Sequence, residues 1–391
     1  MSYAMNRRKF LLGAAPAGLT AAALANRALA QAAKGAAVPV AAAAPATERT
    51  VFLAGDAAPV TPLQGLATLT AALSRNPTAA DNYLKGGAVT ELEQTFAAML
   101  GKEDCVYLPT GTLANNLAVR ILCGEHKHVI VQADSHLYAD ESDSASIMSG
   151  LTMDAIAAGK AAPTCDEFAA AIDFAEHRAY PIKVGAISIE SPVRRHNGES
   201  VPYATIEKVC ELAKSKGIGT HWDGARALML TGTPGFDLKR TAAPFDTVFV
   251  SLYKALHAPF GAVLAGPKPM IAQARDLRHV YGGLIYHGWS SAVPALEALP
   301  GFAGRFTQAR VAAEALLAKL QAGGYTVTRV PNESNIVLLQ VPAAHAAGLQ
   351  DRLAAADIRA RVGKDATMQF FINETILHRS TAELASAFLA T

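Results

Sequence analysis

Lys254 and Asp223 are the residues whose chemistry organises this sequence. Lys254 lies in Ser251-Leu252-Tyr253-Lys254-Ala255, about thirty residues after Asp223 in His221-Trp222-Asp223-Gly224-Ala225-Arg226. A lysine amine can form a Schiff base with an aldehyde. A carboxylate can hold a heteroaromatic ring nitrogen protonated, so that the ring accepts electrons from a breaking bond. Each segment follows a short apolar run, 247–252 and 218–222, that reads as a buried strand. Strand ends at one edge of an open α/β sheet line the ligand crevice. Taken singly, a surface lysine and an N-cap aspartate are the simpler readings.

Two further segments favour the chemical reading. Pro109-Thr110-Gly111-Thr112-Leu113-Ala114-Asn115 joins a strand to a helix. Gly111 lets the backbone approach a ligand closely. The helix N-terminus offers N–H groups and a positive dipole end to a phosphate, and Thr110 or Thr112 can add a hydroxyl. Asp134-Ser135-His136-Leu137-Tyr138 follows another strand. His136 there can stack on a ring or act as an acid or base. Lysine, carboxylate, phosphate cup and histidine together are what a pyridoxal phosphate enzyme needs.

The elements that must position these groups alternate along the chain. Helices are expected at 91–100, 112–122, 165–178 and 203–216, the last closed by Gly217. Strands are expected at 105–108, 128–131, 184–189, 218–222 and 247–252, with a further apolar run at 261–265. Strands alternating with helices predict an α/β fold, a mostly parallel sheet covered by helices on both faces. After Pro300 the pattern changes. A helix at 306–322, strands at 326–330 and 336–340, a helix at 346–355 and a strand at 369–372 predict a smaller C-terminal α+β domain. The expected division is a large domain at 51–300, including an N-terminal arm, and a small domain at 301–391.

The first thirty residues read as an address. Asn6-Arg7-Arg8-Lys9-Phe10-Leu11-Leu12 carries a twin arginine, an uncharged stretch runs from 11 to 24, and Ala28-Leu29-Ala30 fits a cleavage site. Residues 1–30 are therefore expected to be a twin-arginine signal peptide, with periplasmic export, and 31–50 a flexible Ala/Pro-rich lead-in. No later apolar run approaches the ~20 residues of a membrane span. The chain of 391 residues is 51% hydrophobic and 17% charged with net charge +2, which gives no electrostatic case for nucleic acid. Cys105, Cys123, Cys165 and Cys210 match no metal-site spacing, and buried free thiols are expected.

From about residue 53 onward the chain resembles the PLP-dependent threonine aldolase and aromatic amino acid β-eliminating lyase family. Four blocks carry the resemblance: Gly101-Lys102-Glu103 through Asn115, Asp134 to Tyr138, His221 to Arg226, and Ser251 through Ala258-Pro259-Phe260-Gly261. The resemblance implies a fold-type-I, aspartate-aminotransferase-like architecture and a homodimer or homotetramer. It implies Lys254 as the Schiff-base lysine and Asp223 as the partner of the ring nitrogen. His136 would stack on the ring and serve as candidate base. Gly111, Thr112 and Ser251 would join the cofactor-binding set. Arg226 would reach the phenolic oxygen or the substrate carboxylate, and Tyr83 falls where the family places a tyrosine near the substrate.

Three stretches depart from the family pattern. Gly282-Gly283-Leu284-Ile285-Tyr286-His287 and Gln369-Phe370-Phe371-Ile372-Asn373-Glu374 each stand where the family carries a functional arginine. Glu190-Ser191-Pro192-Val193-Arg194-Arg195-His196 replaces a third block. Arg194 or Arg195 can supply the missing carboxylate clamp, or both are solvated surface residues. The implied function is cleavage of the Cα–Cβ bond of β-hydroxy-α-amino acids to glycine and an aldehyde. PLP-dependent β-elimination or transamination is the nearest alternative. A non-catalytic exported protein that binds PLP or amino acids is the alternative of another class.

Overall fold

The apolar runs of the sequence pair into one central sheet in the computed structural model, which describes residues 49–390. The twin-arginine stretch and nearly all of the lead-in lie outside the described residues. After a short strand β1 (Val51–Phe52) come β2 (Asp104–Leu108), β3 (His128–Gln132), β4 (Thr152–Ile156), β5 (Val184–Glu190), β6 (Gly219–Asp223), β7 (Thr247–Ser251) and β8 (Ala262–Gly266). Strands β2 to β8 form the seven-stranded sheet in the order β2-β8-β7-β6-β5-β3-β4. All its pairings are parallel except those of β8, which runs against both β7 and β2. The short return from β7 to β8 needs no crossover helix because that pair is antiparallel.

Burial explains why these strands are legible. Every residue of β5 and β7 is buried, as expected for strands covered on both faces. Edge strand β4, Thr-Met-Asp-Ala-Ile, is half exposed, and the sequence reading left it out. The helix Gly111–Cys123 starts from Thr110, whose side chain accepts from the Leu113 N–H, a cap worth about 1 kcal/mol. Its Leu113, Ala114 and Leu117 pack with Phe249 and Leu264 of the sheet. Each fully buried leucine of this kind contributes roughly 1.5–3 kcal/mol. The helix Tyr203–Lys216 ends, as its sequence suggests, at Gly217 with φ +67°, a conformation glycine adopts without strain.

The C-terminal unit is built on the helix Phe302–Ala322 and on β9 (Thr326–Thr328), β10 (Ile336–Gln340), β11 (Ile358–Arg359) and β12 (Thr367–Phe371). Strands β12, β10 and β9 form an antiparallel sheet in that order. Strand β1 pairs in parallel with β11, and Val51 and Leu53 enter the same core as Leu316, Leu320, Val337 and Phe370. By packing, residues 51–53 therefore sit with the C-terminal unit, and the chain then carries Asp56 toward the end of β6. Cys105, Cys123 and Cys210 are buried, Cys165 is half-buried, and all four are free. Burial pushes the Cys123 and Cys210 thiols up to about 12. Among the described residues no helix is long and apolar enough to cross a membrane.

Candidate active site

Because β2, β3, β5, β6 and β7 all point the same way, their C-terminal ends share one edge of the sheet. That edge carries Gly111 and Thr112 after β2, His136 after β3, Arg194 and Arg195 after β5, Asp223 and Arg226 at β6, and Ser251 and Lys254 at β7. Such an edge is where open α/β sheets bind ligands.

Lys254 is half-buried on the turn after β7. Its Nζ lies 3.1 Å from the Tyr253 hydroxyl and 4.5 Å from the centre of that ring. Ser251 closes β7 almost fully buried, and its hydroxyl has no hydrogen-bond partner. The first N–H groups of a helix have no intrahelical acceptor, so Gly111 and Thr112 present theirs at this edge. A Cβ on Gly111 would come within 2.5 Å of the Phe249 ring on β7, so only glycine lets the helix start this close to the sheet. Thr110 is committed as the cap, which leaves Thr112 as the side chain of this turn for a ligand.

Asp223 is 2% exposed and is held by a donor that the motif reading quoted without assigning it a role. The Asn115 amide donates to Asp223 Oδ2 at 2.9 Å and to Glu141 Oε1 at 2.8 Å. The backbone N–H of Ala225 donates to Asp223 Oδ1 at 3.1 Å. On the other side of the amide, His221 Nε2 donates to Asn115 Oδ1 at 3.0 Å, while Thr247 Oγ1 lies 2.9 Å from His221 Nδ1. Burial pushes His221 down to about 4, so its ring is neutral.

His136 Nδ1 donates to Glu141 Oε1 at 2.8 Å, which leaves Nε2 as its chemically usable nitrogen. The Glu141 bond is the main reason that the His136 pKa lies above that of an ordinary histidine. Glu190 ends β5 and accepts from the backbone N–H groups of His136 at 2.5 Å and Arg194 at 2.9 Å. Burial, then the nearby Asp223 charge, pushes Glu190 up to about 7.

Arg226 donates through Nε to Asp56 Oδ2 at 2.8 Å, and Asn335 Nδ2 reaches Asp56 Oδ1 at 3.3 Å. Arg195 grips Asp140 with Nε at 3.1 Å and Nη2 at 2.5 Å. Arg194 reaches the same carboxylate only at 3.6 Å and is 56% exposed. Gln369, in the second departed stretch, bonds Asn197 of the Arg194–Asn197 turn at 2.7 Å. Tyr83 is held elsewhere: its N–H donates to the Tyr286 carbonyl at 2.9 Å and the two rings meet edge-on at 5.1 Å. Among the described residues no hydrogen bond joins Tyr83 to the strand-end groups.

These residues fit a flat, phosphorylated aromatic aldehyde. The orphaned Ser251 hydroxyl and the helix start at Gly111–Thr112 suit a phosphate. Lys254 suits an aldehyde, and the bonded Asp223 carboxylate suits a protonated ring nitrogen. Among the described residues no group of three or more His, Cys, Asp or Glu side chains is placed to hold a metal ion.

Asn115, Glu141, Glu190 and His221 were the groups without an assigned role in the sequence reading. His221 and Asp223 stand two apart on a strand, hence on one face, a period-2 spacing by which His221 could have been found. Glu141 gave no such signal, since it follows a single-turn helix.

The family model described as beta-eliminating lyase matches residues 64–343. A protein of Arabidopsis thaliana named "Probable low-specificity L-threonine aldolase 2" is 30% identical over 269 residues, covering 64% of this chain and 72% of that protein. The low specificity L-threonine aldolase of Escherichia coli K12 is 26% identical over 288 residues, covering 73% of this chain and 84% of its own. The solved Leishmania major threonine aldolase superposes with a TM-score of 0.69 at 16% identity, covering 86% of this chain and 97% of that one, which shows a shared fold.

Proposed function

Since the chain belongs to the beta-eliminating lyase family of PLP-dependent enzymes, we propose that it is a carbon–carbon lyase cleaving β-hydroxy-α-amino acids to glycine and an aldehyde. The observation that carries this reading is the convergence of Gly111, His136, Asp223 and Lys254 on one sheet edge.

Pyridoxal phosphate bound there supplies an electron sink for the pair released when the Cα–Cβ bond breaks. Lys254 would carry the cofactor covalently and exchange it for the substrate amine. Asp223, fixed by Asn115 and the Ala225 N–H, would keep a proton on the ring nitrogen. Gly111, Thr112 and Ser251 would hold the phosphate. His136 would lie over the ring, with Nε2 directed to the β-hydroxyl proton. A base must be deprotonated, so the raised pKa of His136 places the rise of activity at higher pH than an ordinary histidine would.

The substrate carboxylate would meet Arg226 and Arg194. Arg226 already serves Asp56, and Arg195 is locked on Asp140. Arg194, loosely held by Asp140 and in the same turn as Asn197, the partner of Gln369, is a cation able to swing in. A homo-oligomer and export by the twin-arginine route belong to the same proposal. The test is purified protein with pyridoxal phosphate on threonine, allo-threonine and phenylserine, with aldehyde, ammonia and keto acid assayed separately. Aldehyde with equimolar glycine supports the reading. Ammonia with keto acid and no aldehyde would mean β-elimination, keto acid without ammonia or aldehyde would mean transamination, and cofactor binding without turnover a binding protein.

A further inference from the structure

Glu141 has no part in the chemistry above, yet it is a carboxylate sealed from solvent beside the site, with its side chain 0% exposed. A carboxylate at that depth persists only when it is bonded. It has three donors: His136 Nδ1 at 2.8 Å, Asn115 Nδ2 at 2.8 Å and Asn116 Nδ2 at 3.4 Å. The orientation of Asn115 is set from behind. Neutral His221 has one N–H, on Nε2, and spends it on Asn115 Oδ1. The Asn115 amide must then turn its NH₂ group toward Glu141 and Asp223, where it donates to both.

We propose that Glu141 is a positioning residue: it holds the His136 ring through Nδ1 and shares the Asn115 amide with Asp223, so that the histidine and the ring-nitrogen partner form one hydrogen-bonded unit. This rests on the reading of the strand-end groups as a cofactor site. The charged groups facing His136 are Glu141 and Asp140 from its own segment, Glu190 from β5 and Asp223 from β6, with Arg194 and Arg195 beyond Asp140. The Glu141 hydrogen bond raises the His136 pKa most. Replacing that carboxylate with an amide of the same shape removes the charge and keeps the packing.

The experiment follows histidine ring NMR signals of the full-length protein across pH, with and without pyridoxal phosphate, using His136→Asn to assign the His136 signal. In the wild type the His136 midpoint lies above that of an ordinary histidine. In Glu141→Gln it moves down, and turnover falls on the order of ten-fold with little change in KM. Glu141→Asp, which keeps the charge, restores the midpoint toward wild type. An unchanged midpoint in Glu141→Gln overturns the proposal. So does a wild-type midpoint at or below the ordinary value, which needs no variant at position 141 to fold. A wild-type protein that takes up no pyridoxal phosphate overturns the functional reading beneath it. An unmoved His136 midpoint in a protein that does bind the cofactor overturns this inference alone.

Discussion

Glu190 and Asp223 stand directly opposite each other in the β5–β6 register, two buried carboxylates at the ends of adjacent strands. Both cannot be charged cheaply in so dry a place, and Glu190 is the one that yields, pushed up to about 7. Its folded pKa is above its unfolded value. Its contribution to stability is therefore full below the unfolded pKa and is lost as pH rises through about 7. The cofactor-free protein should lose melting temperature between pH 5 and 8, and Glu190→Gln should flatten that decline. Thermal scans across this range check it; an equally steep decline in the variant contradicts it.

Asp223→Asn should fold, because Asn115 can still bond the new amide oxygen. It should lose on the order of 10²-fold or more in turnover, the usual cost of removing one preorganised charged contact from a closed site. Steady-state kinetics with cofactor occupancy measured alongside decide the matter. Near-wild-type turnover at full occupancy would remove Asp223 from the chemistry.

Arg194→Ala should raise KM for the amino acid roughly ten- to a hundred-fold, matching the loss of one hydrogen bond to a charged group. Arg195→Ala breaks the fork on Asp140 and should change KM much less. Kinetics of the two variants side by side test the assignment. A larger KM effect at Arg195 would reverse it.

The address can be tested apart from the catalytic site. Changing Arg7 and Arg8 to lysine should leave an active, unprocessed protein in the cytoplasm, while the wild type appears outside it beginning near Gln31. N-terminal sequencing of both fractions is the measurement. Wild-type protein found only in the cytoplasm and starting at Met1 would show that the segment is not a signal.

Much of the sheet was readable because strands such as β5 and β7 are buried on both faces and are rich in apolar, β-branched residues. Edge strand β4 was not, since half of it meets solvent. The helix Lys268–Val280 buries only Ile271, Ala274 and Arg278, too thin a stripe to stand out, and Trp289–Ala298 carries Pro294 inside it. Strand β1 is two residues whose partner is some three hundred positions away, and nothing local announces such a pairing. At the candidate site, Asp223, Gly111, His136 and Lys254 could be picked out in the sequence because each closes a strand, opens a helix or lies just past a strand end. The groups behind them were not. Glu141 and Asn115 meet only once β3, β6 and the helix Gly111–Cys123 are packed, and a buried carboxylate looks like any surface glutamate in a sequence.

The central claim is that Lys254 carries the cofactor. Borohydride reduction of the protein with bound pyridoxal phosphate, followed by peptide mapping, tests it directly. A stable adduct on Lys254, lost together with turnover in a folded Lys254→Ala variant, is the expected result. An adduct on another lysine, or turnover that survives Lys254→Ala, would contradict the account.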